Sequence, residues 1–519
     1  MSDLYRYEAA KHEFRYQPDI LDSVQDSASA MTTLNAAVEQ LTSDEKSSGD
    51  VLDDFALLYE QIISKATTQE VSGTDIVIDE EAIAAGVSIA GLAKESTEKL
   101  LKDNRVSLLR EVRKDIAFHS HESDVTFNIE LPSVGYNSDG SATVASYEGI
   151  TLKTDFAAVR IDTEKSSNMK VRIQGLNQDQ LVGLTTEGLE PPVQSGIPWT
   201  QFWSIPVIVI FLLVWMLNGA LRQALKVWVV PAVCFLMLLG NMFSMLSYIN
   251  STFATAGIAG DSFATDLPIV AVRLDIEPNE QVILCIPTGD SGTDFSAVFN
   301  ERNEQMLSKY NPLTRQINSW VYEDGVYSLK NNSISYTDID DAHDVMKDAI
   351  LRLGSRGIMP GSNDGRFKPE DEITRAEFVA AVLNAFNLLD ETATSSFTDV
   401  KKSDWFYSAV ATAQQLNFIS GFEDGTFRGN NDIPKDQMVV VCANSMITYM
   451  GYIRPGDITD QLRNFQDKDD IAGWASEGIA LAAKSSMLLY RSDGKFLPAE
   501  PITRGDAAII LDKMFSKIW

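Results

Sequence analysis

Three cations occupy the same unusual place in the C-terminal part of the chain. Arg375 stands in ITRAEF (Ile373–Phe378), Lys435 in IPKDQM (Ile433–Met438) and Arg504 in ITRGDA (Ile502–Ala507). Each motif opens a predicted helix, where a cation in the first turn opposes the helix dipole. A positive side chain beside free helix N–H groups is, however, a good receptor for an anionic group. Thr374 and Glu377 have the T-x-x-E spacing of a capping box, which sets the helix start but leaves Arg375 unexplained. Local ion pairs with Glu372 or Glu377 explain one Arg more easily than three placed cations.

Other chemistry is thin. Gly289-Asp290-Ser291-Gly292 matches the GDSG around some serine-protease nucleophiles. His12, His119 and His121 precede it and His343 follows, none in a triad context, so no catalytic residue is expected. His119 and His121 can share a strand face as metal ligands, but two ligands do not make a site. The Asp-Gly turns lack the D-x-D-x-D-G loop with a closing Glu, which excludes EF-hands. Cys234, Cys285 and Cys442 lie far apart without a CxxC, so neither a disulfide framework nor a zinc site follows. No metal and no cofactor are expected.

The elements that carry the three cations form a triplicated unit. Unit one opens YTDID at Tyr336, has GIMPGSNDGRFKP at Gly357–Pro369, then ITRAEF. Unit two opens FTDV at Phe397, has FISGFEDGTF at Phe418–Phe427, then IPKDQM. Unit three opens FQDK at Phe465, has SDGKFLP at Ser492–Pro498, then ITRGDA. The marker Phe367 recurs as Phe427 and Phe496, at spacings of 60 and 69. Each unit reads helix, Asp-Gly turn, short G-x-F segment, second helix. The predicted boundaries are 336–395, 396–464 and 465–519.

With its F-x-D opening, G-x-x-G-x-x-D/N-G-x-F turn and ITRAE motif, this region resembles three S-layer homology (SLH) domains. The resemblance implies a pseudo-threefold spindle whose grooves between repeats bind anionic wall polysaccharide, typically a pyruvylated secondary cell-wall polymer, or peptidoglycan. The Arg of the ITRAE-like motif contacts acidic sugar in that family, which carries over to Arg375 and Arg504. Unit two departs: Pro434-Lys435-Asp436-Gln437 lacks the capping Thr, and Lys435 keeps the charge without the bidentate fork. The family's helix-one Trp matches Trp405 and Trp474, with Asp344 in its place in unit one. Stacking on sugar and a place in the core are both open to these Trp residues, with the core preferred. The expected carbohydrate-binding set is Arg375, Arg504, Lys435, Thr374, Glu377, Thr503, Asp506, Trp405 and Trp474, forming one or two competent grooves.

The chain has 519 residues, 43 Lys plus Arg against 73 Asp plus Glu, and a net charge of −30. That balance disfavours a nucleic-acid binder. Residues 1–120 read as a helical bundle or coiled coil. Val24, Leu34, Met31, Val38 and Leu41 make an a/d stripe, and a helix is predicted from Glu80 to Ile116, bent near Gly86 and Gly91. Residues 121–190 and 262–335 read as two small β-sandwich-like modules, and Ala158–Asp162 echoes Ala271–Asp275. Two charge-poor runs, about 203–221 and 227–249, predict a transmembrane hairpin within 199–250, with Arg222 and Lys226 in a cytoplasmic loop. A rival topology makes Lys226–Ala256 a single signal anchor.

The expected fold class is therefore multidomain α+β: N-terminal helical bundle, β-sandwich-like modules, transmembrane hairpin and C-terminal SLH pseudo-trimer. The expected function is a non-catalytic envelope protein at the plasma membrane that grips the cell wall through its repeats. Its expected partners are wall polysaccharide, the lipid bilayer, and a second copy or another protein through residues 1–120. The alternatives are a scaffold of an envelope assembly or secretion complex, and an envelope hydrolase.

Overall fold

The computed structural model describes residues 5–6, 16–43, 49–131, 149–162, 168–181, 271–277, 281–288 and 293–518. After a two-residue strand β1 (Tyr5–Arg6) come helices α1 (Asp19–Asp22), α2 (Ser27–Ser43) and α3 (Gly49–Ala66). Strands β2 (Gln69–Glu70) and β3 (Asp75–Ile78) lead to α4 (Glu80–Asp103). The N-cap Asp79 accepts from Ala82 N, and α4 continues without a break through Gly86 and Gly91. It ends at Asp103, short of the expected boundary, because Ile116 belongs to strand β4 (Asp115–Ser120).

The β region is one composite body, not two modules. Strands β5 (Asp124–Ile129), β6 (Gly149–Thr154), β7 (Ala158–Asp162) and β8 (Met169–Leu176) come from the first predicted module. Strands β9 (Ala271–Glu277), β10 (Val282–Pro287), β11 (Ser296–Phe299), β12 (Ser308–Asn311), β13 (Gln316–Val321) and β14 (Gly325–Asn331) come from the second. A seven-stranded sheet runs β12-β13-β10-β7-β6-β4-β2, and a six-stranded sheet runs β11-β14-β9-β8-β5-β3. Both sheets thus cross the boundary: β7 pairs with β10, and β8 pairs with β9 in a register that sets Leu176 against Ala271. The two sheets share one core that includes Phe118, Phe127, Leu152, Val171, Leu274, Leu284 and Val321. Each half gives strands to both sheets, so the shared core is continuous across the boundary between them. The two echoed segments, β7 and β9, lie in different sheets.

The expected transmembrane hairpin has no support here. Among the described residues no helix is long and apolar enough to cross a membrane, and the two charge-poor runs lie outside the described residues, as do His12 and Gly289–Gly292. The helices that are described are amphipathic; α3 carries Asp50, Asp53, Asp54, Glu60 and Lys65 among its apolar residues.

Nor is the N-terminal stripe a coiled-coil seam. Leu34, Val38 and Leu41 are buried in one core with Phe55, Leu58 and the C-terminal repeats, so the helical face is used within the chain. Buried polar contacts fix this docking. Lys517 Nζ bonds Asp50 at 2.9 Å and Asp53 at 2.7 Å, and Arg110 pairs with Glu60 at 2.6 Å.

The remainder is helical: α5 (Asp344–Ser355), α6 (Arg375–Phe386), α7 (Tyr407–Gln415), α8 (Lys435–Met450), α9 (Ile458–Leu462), α10 (Gly473–Lys484) and α11 (Arg504–Ser516), with β15 (Tyr490–Arg491) pairing to β1. Each repeat contributes a first helix (α5, α7, α10) and a second (α6, α8, α11). An Ile stands two places before the Arg or Lys that opens each second helix. Ile433 N donates to Ile373 O at 2.9 Å, Ile373 N to Ile502 O at 3.2 Å, and Ile502 N to Ile433 O at 3.3 Å. These three bonds close a ring, and all three Ile side chains are buried.

Candidate carbohydrate-binding grooves

The Asp-Gly turns are built by the same device in every repeat. The Asp of the opening motif bridges two successive N–H groups after the turn: Asp338 takes Phe367 N and Lys368 N, both at 2.8 Å. Asp399 takes Phe427 N and Arg428 N, both at 2.7 Å. Asp467 takes Phe496 N and Leu497 N, both at 2.7 Å. This bidentate grip holds Lys368, Arg428 and Leu497 at φ of 62°, 60° and 57°, a left-handed conformation that L-residues otherwise avoid. The buried Phe at each turn is thereby locked, with its carbonyl turned toward the neighbouring repeat.

Those carbonyls receive the three cations. Arg375 Nε donates to Phe427 O at 3.0 Å, Lys435 Nζ to Phe496 O at 3.0 Å and Arg504 Nε to Phe367 O at 3.1 Å. The cation of each repeat therefore reaches the turn of the next, and repeat three returns to repeat one. Each also lies over the Phe ring that it addresses, at 4.8 Å for Arg375, 5.7 Å for Lys435 and 5.0 Å for Arg504. The helix N–H groups beside them are not free. Arg375 N and Ala376 N donate to Asn431 O and Gly429 O, and the matching pairs at Lys435 and Arg504 do the same in their neighbours. The expectation of open helix N–H groups is thus corrected: backbone carbonyls of the next repeat occupy them and offset the cation's clash with the dipole.

The three grooves differ in charge. Glu500 stands 3.5 Å from Lys435 Nζ, and Glu377 stands 3.8 Å from Arg504. Arg375 has no carboxylate within 4.0 Å among the described residues. The residue is 6% exposed, and its guanidinium also donates to Gln437 Oε1. Burial, reinforced by the nearby Arg428 cation, pulls its pKa down to about 10. It is the least compensated of the three.

Thr374 and Glu377 form the reciprocal capping box at α6, and Thr503 caps α11 by accepting from Asp506 N. Thr374, Glu377, Thr503 and Asp506 therefore hold the helix starts. Pro434 leaves α8 without a side-chain cap, and Lys435 is only 3% exposed. Trp405 and Trp474, for which a core position was preferred, are exposed at 67% and 58%. Trp405 meets Phe406 edge-on at 5.5 Å, and the Phe406 ring lies against Gly429, whose carbonyl accepts from Ala376 N. The sequence reading missed Asp338, Asp399 and Asp467 as turn clamps, although an Asp recurs at the same place in each opening motif.

The family model described as S-layer homology domain matches residues 335–379, 396–439 and 464–508. The C-terminal part of this chain carries three S-layer homology domains. Such domains bind cell-wall polysaccharide in surface proteins of the cell envelope. The chain is 30% identical over 238 residues to an amylopullulanase of Thermoanaerobacterium thermosulfurigenes, covering 42% of this chain and 12% of that protein. It is 25% identical over 175 residues to the surface-layer 125 kDa protein of Lysinibacillus sphaericus, 33% of this chain and 14% of that one. It is 28% identical over 166 residues to a cellulosome-anchoring protein of Acetivibrio thermocellus, 31% of this chain and 36% of that one. The chain thus matches only a minor part of each relative, and those relatives include an enzyme as well as anchoring and surface-layer proteins.

Proposed function

We propose that this is a non-catalytic cell-envelope protein that holds the cell wall non-covalently, with the groove between the first two SLH repeats as its principal site. The ligand is a wall polysaccharide bearing a carboxylate, such as a pyruvyl ketal. Arg375 supplies charge and the exposed Trp405 a stacking face for the sugar ring. The observation that carries this is a buried Arg375 with no carboxylate within 4.0 Å among the described residues, while Trp405 of the neighbouring repeat is exposed. A carboxylate entering that groove forms a charge-assisted bond in a low-dielectric setting, where such bonds are strong. The Lys435 and Arg504 grooves already contain a glutamate that an anionic ligand must displace.

The test is co-sedimentation of the purified chain with wall sacculi, before and after mild acid removes pyruvyl groups. Binding that disappears with the acid-labile groups supports the proposal. Equal retention by untreated and stripped sacculi would sink the carboxylate reading, and no retention by either would sink wall binding itself.

A further inference from the structure

At one edge of the seven-stranded sheet two histidines and two carboxylates gather. His119 lies near the end of β4 and His121 just beyond it, two residues apart and so on one face of the strand. Edge strand β2 runs parallel to β4 with Glu70 opposite His119. On the other side β6 pairs Thr154 with Ser120, which brings Asp155, the next residue, beside His121. Two ligands adjacent in sequence thereby meet two that no spacing in the sequence connects to them.

The distances sort the carboxylates into two roles. Glu70 Oε1 is 3.2 Å from His119 Nδ1, and Glu70 Oε2 is 3.5 Å from His121 Nε2. One oxygen of Glu70 and one nitrogen from each ring fall within 4.8 Å of one another. Ligands about 2.0–2.1 Å from a tetrahedral zinc ion stand about 3.3 Å apart, which matches the Glu70 side. Asp155 Oδ1 instead contacts the opposite nitrogens, His119 Nε2 at 3.1 Å and His121 Nδ1 at 2.9 Å. Those are hydrogen-bond lengths, and a carboxylate on the far nitrogen is the usual means of orienting a metal-bound imidazole. The rings are held at 4.5 Å and 66° to each other, so both present a nitrogen to the same point. Lys153, the register neighbour of His119, directs its ammonium away to Ser64 and Thr68.

We propose that Glu70, His119 Nδ1 and His121 Nε2 bind a divalent transition-metal ion of the zinc class, with Asp155 orienting both rings. Three protein ligands leave a fourth position for water or an exogenous anion. The ion would tie edge strand β2, which leads out of helix α3, to its neighbour β4. This site is independent of the wall-binding grooves.

Metal-stripped full-length protein is titrated with zinc by calorimetry and with cobalt(II) by visible absorption. One ion per chain with a tetrahedral cobalt spectrum is expected. His121→Ala and Glu70→Gln should each abolish stoichiometric binding, and Asp155→Asn should weaken it about 10–100-fold. His121 has a side chain 70% exposed, so its loss leaves the fold intact, which circular dichroism checks. The proposal is overturned if the wild-type chain binds no ion, or if His121→Ala binds as the wild type does. It is also overturned if Asp155→Asn abolishes binding while Glu70→Gln retains it.

Discussion

Tyr452 donates its hydroxyl hydrogen to Asp53 Oδ1 at 2.7 Å, joining two residues 399 positions apart in the chain. The other oxygen of Asp53 takes Lys517 Nζ at 2.7 Å. One buried carboxylate on α3 therefore satisfies a phenol and an ammonium from the SLH region. Removing it leaves the Tyr452 hydroxyl without this acceptor and Lys517 with Asp50 alone, and breaking a buried pair from one side costs about 3–5 kcal/mol. Asp53→Ala should lose stability of that order in urea unfolding, and Asp53→Asn less, since the amide still accepts from Tyr452.

The same contact has a pH signature. Burial alone would lower the Lys517 pKa, but Asp53 and Asp50 outweigh it and hold the ammonium above its ordinary value. A base whose folded pKa is raised contributes stability that is complete below its unfolded value, 10.5 here. That stability is lost as pH climbs through the folded value. The stability gap between wild type and Asp53→Asn should therefore be constant at neutral pH and shrink above about pH 10.5. A gap that narrows on acidification from pH 9 to pH 6 would contradict this assignment.

In the grooves, Arg375→Gln should weaken sedimentation with wall sacculi most. A hydrogen bond to a charged group contributes about 1.5–3 kcal/mol, or roughly 10–150-fold in affinity. Arg504→Gln and Lys435→Gln should weaken binding less, because Glu377 and Glu500 already oppose an anion there. Trp405→Ala should reduce binding while leaving the melting temperature unchanged, since the indole is largely exposed. A melting temperature that falls with Trp405→Ala would return this residue to a packing role.

Gly421 tests the turn itself. A Cβ there would sit 2.4 Å from the Phe397 ring, which stacks on Phe427 at 5.4 Å. Gly421→Ala must displace that ring, an overpacking cost of about 1–3 kcal/mol. Because Phe427 O anchors Arg375, the same variant should also lose wall binding.

Much of the SLH region was legible because its landmarks are local: Asp364-Gly365 and Thr374 through Glu377 state their own turn and cap. What was not legible is backbone-mediated. The partners of Arg375 and Arg504 are carbonyls, which every residue carries, so side-chain types give no hint of them. Trp405 was misplaced because α7 begins at Tyr407, and the indole precedes the helix instead of lying on its inner face. The strands were readable one at a time, but β8–β9 and β7–β10 pairings span long stretches of chain, and alternation does not name a partner. Gly86 and Gly91 suggested a bend, since glycine costs about 1 kcal/mol within a helix. Packing of α4 against its neighbours overrides that. Of the His119 cluster only the histidine pair was visible, because Glu70 and Asp155 arrive on other strands.

The register of β8 and β9 makes a further prediction. Leu176 faces Ala271, so the chain leaves and re-enters the sheet at one place. Replacing residues 177–270 by Asn-Gly, which favours a two-residue hairpin turn, should preserve a cooperatively folding β body. Loss of cooperative thermal unfolding in that variant would show that the excised segment is needed for the fold.

The three Ile–Ile hydrogen bonds give the repeats a closed order instead of a linear one. A solenoid has ends, and trimming one repeat removes a single interface with its neighbour. A ring has none: deleting any SLH repeat opens two faces at once and strands one cation without its carbonyl. Partial modules are thus not smaller versions of the whole, and shortening by one unit should collapse all three grooves together.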